Sequence, residues 1–264
     1  MKQACLFIVL FFSLSCKQRF YRAASGSMEE TIMVGQTFTV IMSDKFERND
    51  IVVFNYFGPD YNKPNEETGS FKMSWAKRTY RLIAYSGDSV EIKEGEVFVN
   101  GRHLAMPPKG KLRYEVYAKG RIEEFDQQDP YISKTIKTGD TTGYNVELTP
   151  ERAYDFQRRK PFVISVKRIL PDLAYVNDTS YARASETGQW TSDNYGPFKI
   201  PSPGDNILID QDNLKFYHNI PDIKPGMNVI KEKLYFLLGD NRYGAEDCRF
   251  IGLIAHSKMY GVVK

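Results

Sequence analysis

The sequence predicts a mostly β fold into which a smaller mixed α/β segment is inserted, and three observations carry that reading. Runs rich in β-branched and aromatic residues recur at positions 37–41, 51–56, 75–85 and 234–238. Val90 and Ile92 stand opposite Val97 and Val99 across Glu94-Gly95, the pattern of a tight hairpin. Between about residues 101 and 231 the chain becomes more polar, with charges of both signs interspersed and one helical stretch at 150–159.

Length and composition set the limits. A chain of 264 residues can bury one large core or two modest ones. With 26% charged, 42% hydrophobic and 14% aromatic residues it has the profile of a globular protein. A formal net charge of +3, scattered along the chain, lacks the clustered basic face of a nucleic-acid binder, so no nucleic acid partner is expected. Two of the three cysteines, Cys5 and Cys16, sit in the first sixteen residues, which leaves Cys248 alone and excludes a disulfide framework in the folded body. His103, His218 and His256 are far apart and lack metal-ligand spacing, and no metal or cofactor is expected.

The N-terminus has the plan of a targeting segment. Lys2 precedes an apolar run, residues 4–16, interrupted only by Ser13 and Ser15. As a helix that run would span about 20 Å, short of the roughly 30 Å hydrocarbon core of a bilayer. Ser13-Leu14-Ser15-Cys16 loosely resembles a lipoprotein acylation site, without the usual Leu three residues before the cysteine. An uncleaved anchor is the other reading, with Phe20 and Tyr21 at the interface. In both, Lys17, Arg19 and Arg22 form a basic collar beside a lipid bilayer, so residues 1–23 are read as a signal or membrane-anchor segment.

The chemistry begins at Ser25-Gly26-Ser27-Met28. Glycine permits a sharp turn that exposes the following hydroxyl, which makes Ser27 a candidate nucleophile, although a Ser/Gly turn in a loop looks the same. After the turn at Arg48-Asn49-Asp50, residues 58–70 read as a polar loop containing Pro, Asn and Gly. Near the C-terminus, Asp240 alternates with Arg242 and Asp247 with Arg249, spacings that can hold a loop rigid through bidentate pairs.

Taken together, Ser25-Gly26-Ser27-Met28 with Thr31, Arg81 through Gly87-Asp88, and Gly239-Asp240-Asn241-Arg242 with Asp247 and Arg249 resemble the ordered boxes of type I bacterial signal peptidases. Asp50-Ile51-Val52-Val53-Phe54 resembles a further box, and Asp193-Asn194-Tyr195-Gly196-Pro197 a stretch found in long members. The resemblance implies a signal-peptidase-like β catalytic domain, residues 24–101 and 232–264. An accessory domain, 102–231, would be inserted into it, and its last part, from about 190, could return to the catalytic sheet. It also implies a membrane-bound serine endopeptidase on the outer, periplasmic face of the bacterial inner membrane that cleaves signal peptides from exported precursors. Such precursors would carry small residues at the cleavage site and bind as an added strand. Ser27 matches the nucleophile of a Ser/Lys dyad, and Ser25 joins the Ser27 N–H in the oxyanion hole. Arg81, Asp240, Arg242, Asp247 and Arg249 support the site.

The chain departs from the family at the base. Counting back from Gly87-Asp88 without a gap puts Tyr80 at the lysine position, while a Lys-Arg pair lies three residues earlier, at Lys77-Arg78. On a regular strand an offset of three turns the side chain to the other face, and a bulge within residues 79–81 would bring Lys77 back. Tyr80 itself would need its phenol pKa, about 10, pulled strongly down. Ala245 stands where the family often has a serine, and Glu29-Glu30 replaces a proline after Met28. Two readings stay open: a working peptidase with Ser27 and Lys77, or a catalytically impaired relative that binds or assembles exported proteins. A plain surface lipoprotein explains the N-terminus but leaves the ordered boxes to chance.

Overall fold

A computed structural model describes residues 18–64, 71–126, 136–170, 182 and 190–264. The apolar segment and Cys16 lie outside the described residues, as does most of 171–189.

The chain enters as β1 (Gln18–Arg22), makes a single 3-10 turn at Gly26–Met28, and continues through β2 (Thr37–Met42), β3 (Ile51–Pro64) and β4 (Phe71–Tyr85). Three short strands follow, β5 (Ser89–Lys93), β6 (Glu96–Val99) and β7 (Arg102–Leu104). The middle holds β8 (Leu112–Lys119), α1 (Glu123–Asp126), β9 (Ile136–Thr138), β10 (Thr141–Leu148), α2 (Pro150–Arg159) and β11 (Val163–Arg168). Then come β12 (Tyr195–Lys199), β13 (Asn206–Ile209), α3 (Leu214–Tyr217), β14 (Gly226–Val229), β15 (Leu234–Leu238), α4 (Cys248–Ile251), β16 (Ile254–Ala255) and β17 (Met259–Val263).

The fold is mostly β. A seven-stranded antiparallel sheet has the order β1-β2-β17-β3-β4-β15-β16, and a four-stranded one the order β12-β5-β6-β7. Their apolar faces share one core. Val52, Phe54, Leu82 and Phe236 meet Val90, Ile92 and Val99, and Phe198 stands edge-on to Phe236 at 5.3 Å between ring centres. The β5–β6 hairpin has the register read from the sequence, Val90 opposite Val99 and Ile92 opposite Val97, with Glu94 and Gly95 both at positive φ as its two-residue turn requires. Of the loop expected at 58–70, residues 65–70 lie outside the described residues, and 58–64 are strand instead: β3 runs on to Pro64 and β4 starts at Phe71, with the register shift that accommodates proline in a ladder lying between Pro59 and Pro64.

Residues 112–168 build a second sheet, β11-β8-β10-β9. Alternate residues of β8, Leu112, Tyr114, Val116 and Ala118, are buried with Tyr144, Val146 and Leu148 of β10 against Phe156 of α2. That helix occupies the residues its sequence marks: Thr149 Oγ1 caps Arg152 N at 3.2 Å, Pro150 opens it, and Arg158 and Arg159 close it. Between the cores, Lys111 bridges to the loop after β15, its N–H donating to Asp240 O at 2.9 Å while its carbonyl accepts from Arg242 N at 3.2 Å.

Candidate active site

Ser25 is extended (φ −140°, ψ 161°) and the following 3-10 turn swings Ser27 back toward it, so the two hydroxyl oxygens stand 3.1 Å apart. Met28 and Ile32 are buried beneath the turn and anchor it, because withdrawing both from water outweighs the freedom the loop loses. Asn241 holds the turn from the other side. Its backbone N–H donates to Ser27 O at 3.1 Å and its Nδ2 to Gly26 O at 3.2 Å. Gly239 has no room for a side chain, since a Cβ there would lie 2.7 Å from Ser27 O and against the Ala245 methyl.

The two aspartates of the C-terminal loop are fully buried, and each has its own guanidinium. Asp240 receives Arg81 through Nε (2.8 Å) and Nη2 (2.6 Å), and Thr31 Oγ1 at 2.5 Å. Asp247 receives Arg249 through Nε and Nη2, both at 2.8 Å, and Gly239 N at 3.0 Å. The alternation in sequence suggested Asp240 with Arg242, but the strand geometry hands Asp240 to Arg81, on β4. The Arg242 guanidinium is instead packed into the interior, its Nε without a partner; burial and the nearby Arg249 charge lower its pKa to about 10. Removing one member of a buried, hydrogen-bonded pair costs about 3 to 5 kcal/mol, so these two pairs fix the loop on which the Ser27 turn rests.

Ser25, Ser27, Met28, Lys77 and Tyr80 all border one cavity of about 290 Å³, whose wall also includes Tyr21, Phe38 and Val53. Along it runs the outer edge of β4: β15 pairs with that edge only from Arg81 to Tyr85, and no strand among the described residues pairs with it at 73–80.

The residues expected to serve as base are separated. Pairing of β3 with β4 is continuous from Ile51 opposite Arg81 to Pro59 opposite Met73, so no bulge falls within residues 79–81 and Lys77 and Tyr80 remain on opposite faces. The Lys77 ammonium donates to Asn55 Oδ1 across the ladder at 2.8 Å and lies 3.9 Å from the centre of the Tyr260 ring. Thr79 and Val53, on its face, line the cavity with it. Tyr80 is buried and its hydroxyl donates to Glu246 O at 2.9 Å. Burial raises its phenol well above the ordinary value, the opposite of the lowering that a tyrosine base would need.

Two further residues of this wall, Arg78 and Glu246, had no role assigned to them from the sequence. Arg78, on the Tyr80 face, donates through Nη1 to Glu246 O (3.0 Å) and through Nη2 to Glu246 Oε2 (2.9 Å), while its guanidinium lies over the Tyr56 ring at 4.0 Å. Burial opposes its charge, but Tyr80 and Glu246 outweigh burial and raise its pKa. The only sequence signal for the pair was the Lys77-Arg78 dipeptide, because Glu246 lies 168 residues away.

The family model described as signal peptidase, peptidase S26, matches residues 2–154 and 165–264, and the chain belongs to that family of serine peptidases. Comparison with curated proteins finds no matching relative. Among the described residues no helix is long and apolar enough to cross a membrane, and no three of His, Cys, Asp and Glu converge as metal ligands.

Proposed function

We propose that the chain is a membrane-attached serine endopeptidase that removes signal peptides from exported precursors, with Ser27 as nucleophile and Lys77 as its general base. The observation that carries this reading is the Ser25–Ser27 hydroxyl pair, 3.1 Å apart on an apolar cavity that Lys77 also lines. The precursor segment adds as a strand to the open edge of β4 and sets its scissile carbonyl between Ser27 Oγ and the donors Ser25 Oγ–H and Ser27 N–H. As the precursor displaces water, the Lys77 ammonium gives up a proton to solvent and exchanges its Asn55 and Tyr260 contacts for Ser27 Oγ; the neutral amine then accepts the serine proton as Oγ attacks the carbonyl and returns it to the departing amine. Membrane attachment rests on the apolar run at 4–16 and the basic collar of Lys17, Arg19 and Arg22, and the outer face of the inner membrane on the resemblance to type I signal peptidases alone.

One observation favours a second reading, a relative that binds exported proteins without cleaving them: a buried tyrosine bonded to Glu246 fills the position the family gives to its lysine. Cleavage of a synthetic signal peptide by the full chain in detergent separates the two. Parent activity that is lost in Ser27→Ala and in Lys77→Ala supports the dyad. Undiminished activity in Lys77→Ala rejects Lys77 as base, and peptide binding without cleavage by the parent selects the second reading. Mass spectrometry of the mature N-terminus reports the attachment, as an acylated Cys16 or an intact Met1.

A further inference from the structure

The second sheet reaches the nucleophile through one buried carboxylate. Glu147, on β10, is 3% exposed, and its Oε2 accepts from Asn241 Nδ2 at 2.8 Å. The same Nδ2 donates to Gly26 O at 3.2 Å, and Asn241 Oδ1 accepts from Gly244 N at 3.2 Å, so the amide plane is fixed at both ends. Glu147 Oε1 lies 4.0 Å from Arg113 Nη2, and Arg113 is its register partner on β8.

Gly26 C=O and Ser27 N–H belong to one planar trans peptide and therefore point in opposite directions. Holding Gly26 O toward Asn241 turns the Ser27 N–H away from Asn241. We propose that Glu147 is a positioning residue: by orienting the Asn241 amide it aims the Ser27 backbone N–H at the developing oxyanion. This inference rests on the peptidase reading of Ser27. The second N–H of Nδ2 is buried as well and needs its own acceptor, and Glu147 supplies it from a strand 94 residues away, so the amide has no reason to turn from Gly26 O to find one elsewhere. The second sheet therefore contributes to the catalytic centre without touching substrate.

A purely structural role for Glu147 makes a different prediction from a positioning role. If the carboxylate serves only to balance the Arg113 charge, Glu147→Asp is tolerated and Glu147→Gln is not. If its reach to Asn241 matters, Gln, which keeps an acceptor oxygen at that distance, is tolerated, and Asp, one methylene shorter, is not. The experiment uses the full chain in detergent, with kcat and KM on a synthetic signal peptide and the Ser27 amide resonance followed by NMR of serine-labelled protein. Expected are a fall in kcat of about tenfold to a hundredfold in Glu147→Asp and Glu147→Ala with KM unchanged, a displaced Ser27 amide resonance in both, and near-parental behaviour of Glu147→Gln. A Ser27 resonance unmoved in Asp and Ala, or an active Asp with an inactive Gln, overturns the inference. A parent that does not cleave at all rejects the peptidase reading instead, and the amide resonance still decides whether Glu147 orients the turn.

Discussion

The Tyr80 hydroxyl donates to the backbone carbonyl of Glu246 at 2.9 Å, the same carbonyl that receives Arg78 Nη1 at 3.0 Å. Tyr80 is therefore a strut between β4 and the C-terminal loop. Because Arg78 continues to satisfy the carbonyl, Tyr80→Phe lowers stability by about 1 kcal/mol, read as a shift in the urea midpoint, and leaves cleavage within about threefold of the parent. A loss of activity equal to that of Ser27→Ala would make the phenol a participant in the chemistry.

Gly239 tests how tightly the turn is seated. An added methyl meets Ser27 O at 2.7 Å and the Ala245 side chain, and the turn is the part that can move. Gly239→Ala is expected to cost about 1 to 3 kcal/mol of stability by overpacking. Its effect on kcat is larger, about a hundredfold if Ser27 is the nucleophile as proposed, since displacing Ser27 by a fraction of an ångström spoils the attack geometry. Thermal melts and single-turnover kinetics measure the two separately.

Stability falls in alkali. Burial raises the phenols of Tyr217 and Tyr235 to about 12 and those of Tyr80 and Tyr243 further, the last also through Asp193. A phenol whose folded pKa exceeds its unfolded value of about 10 contributes stability that is fully present below pH 10 and lost as pH rises toward the folded value. The thermal midpoint should therefore hold steady up to about pH 10 and fall steeply beyond it, with phenolate absorbance appearing together with loss of structure. Tyrosines that ionise while the fold persists would contradict this.

Local signals carried much of the architecture. Glu94-Gly95 between alternating valines and isoleucine announces its hairpin, and Thr149-Pro150 announces the start of α2, because turns and caps are decided within a few residues. The Ser25–Ser27 pair was legible for the same reason. Distant partnerships were not: the sequence offers Asp240 a nearby Arg242, whereas the sheet gives it Arg81, 159 residues away. Glu147 reads as an ordinary polar position in an alternating strand, and nothing local marks it as facing Asn241. Residues 58–64 misled in the opposite direction, since their proline and glycine content suggests a loop and the edge hairpin absorbs both.

The place of β17 in the large sheet bears on when this protein can become active. Residues 259–263 lie between β2 and β3, so the two strands that flank the Ser27 turn's sheet have no common partner until that segment arrives. During synthesis every other strand among the described residues leaves the ribosome first, yet the sheet cannot close around its centre. Until residues 259–263 are made, the nascent chain carries the Ser25–Ser27 turn beside an incomplete sheet, and a ribosome stalled before residue 259 holds a chain whose central strand is missing.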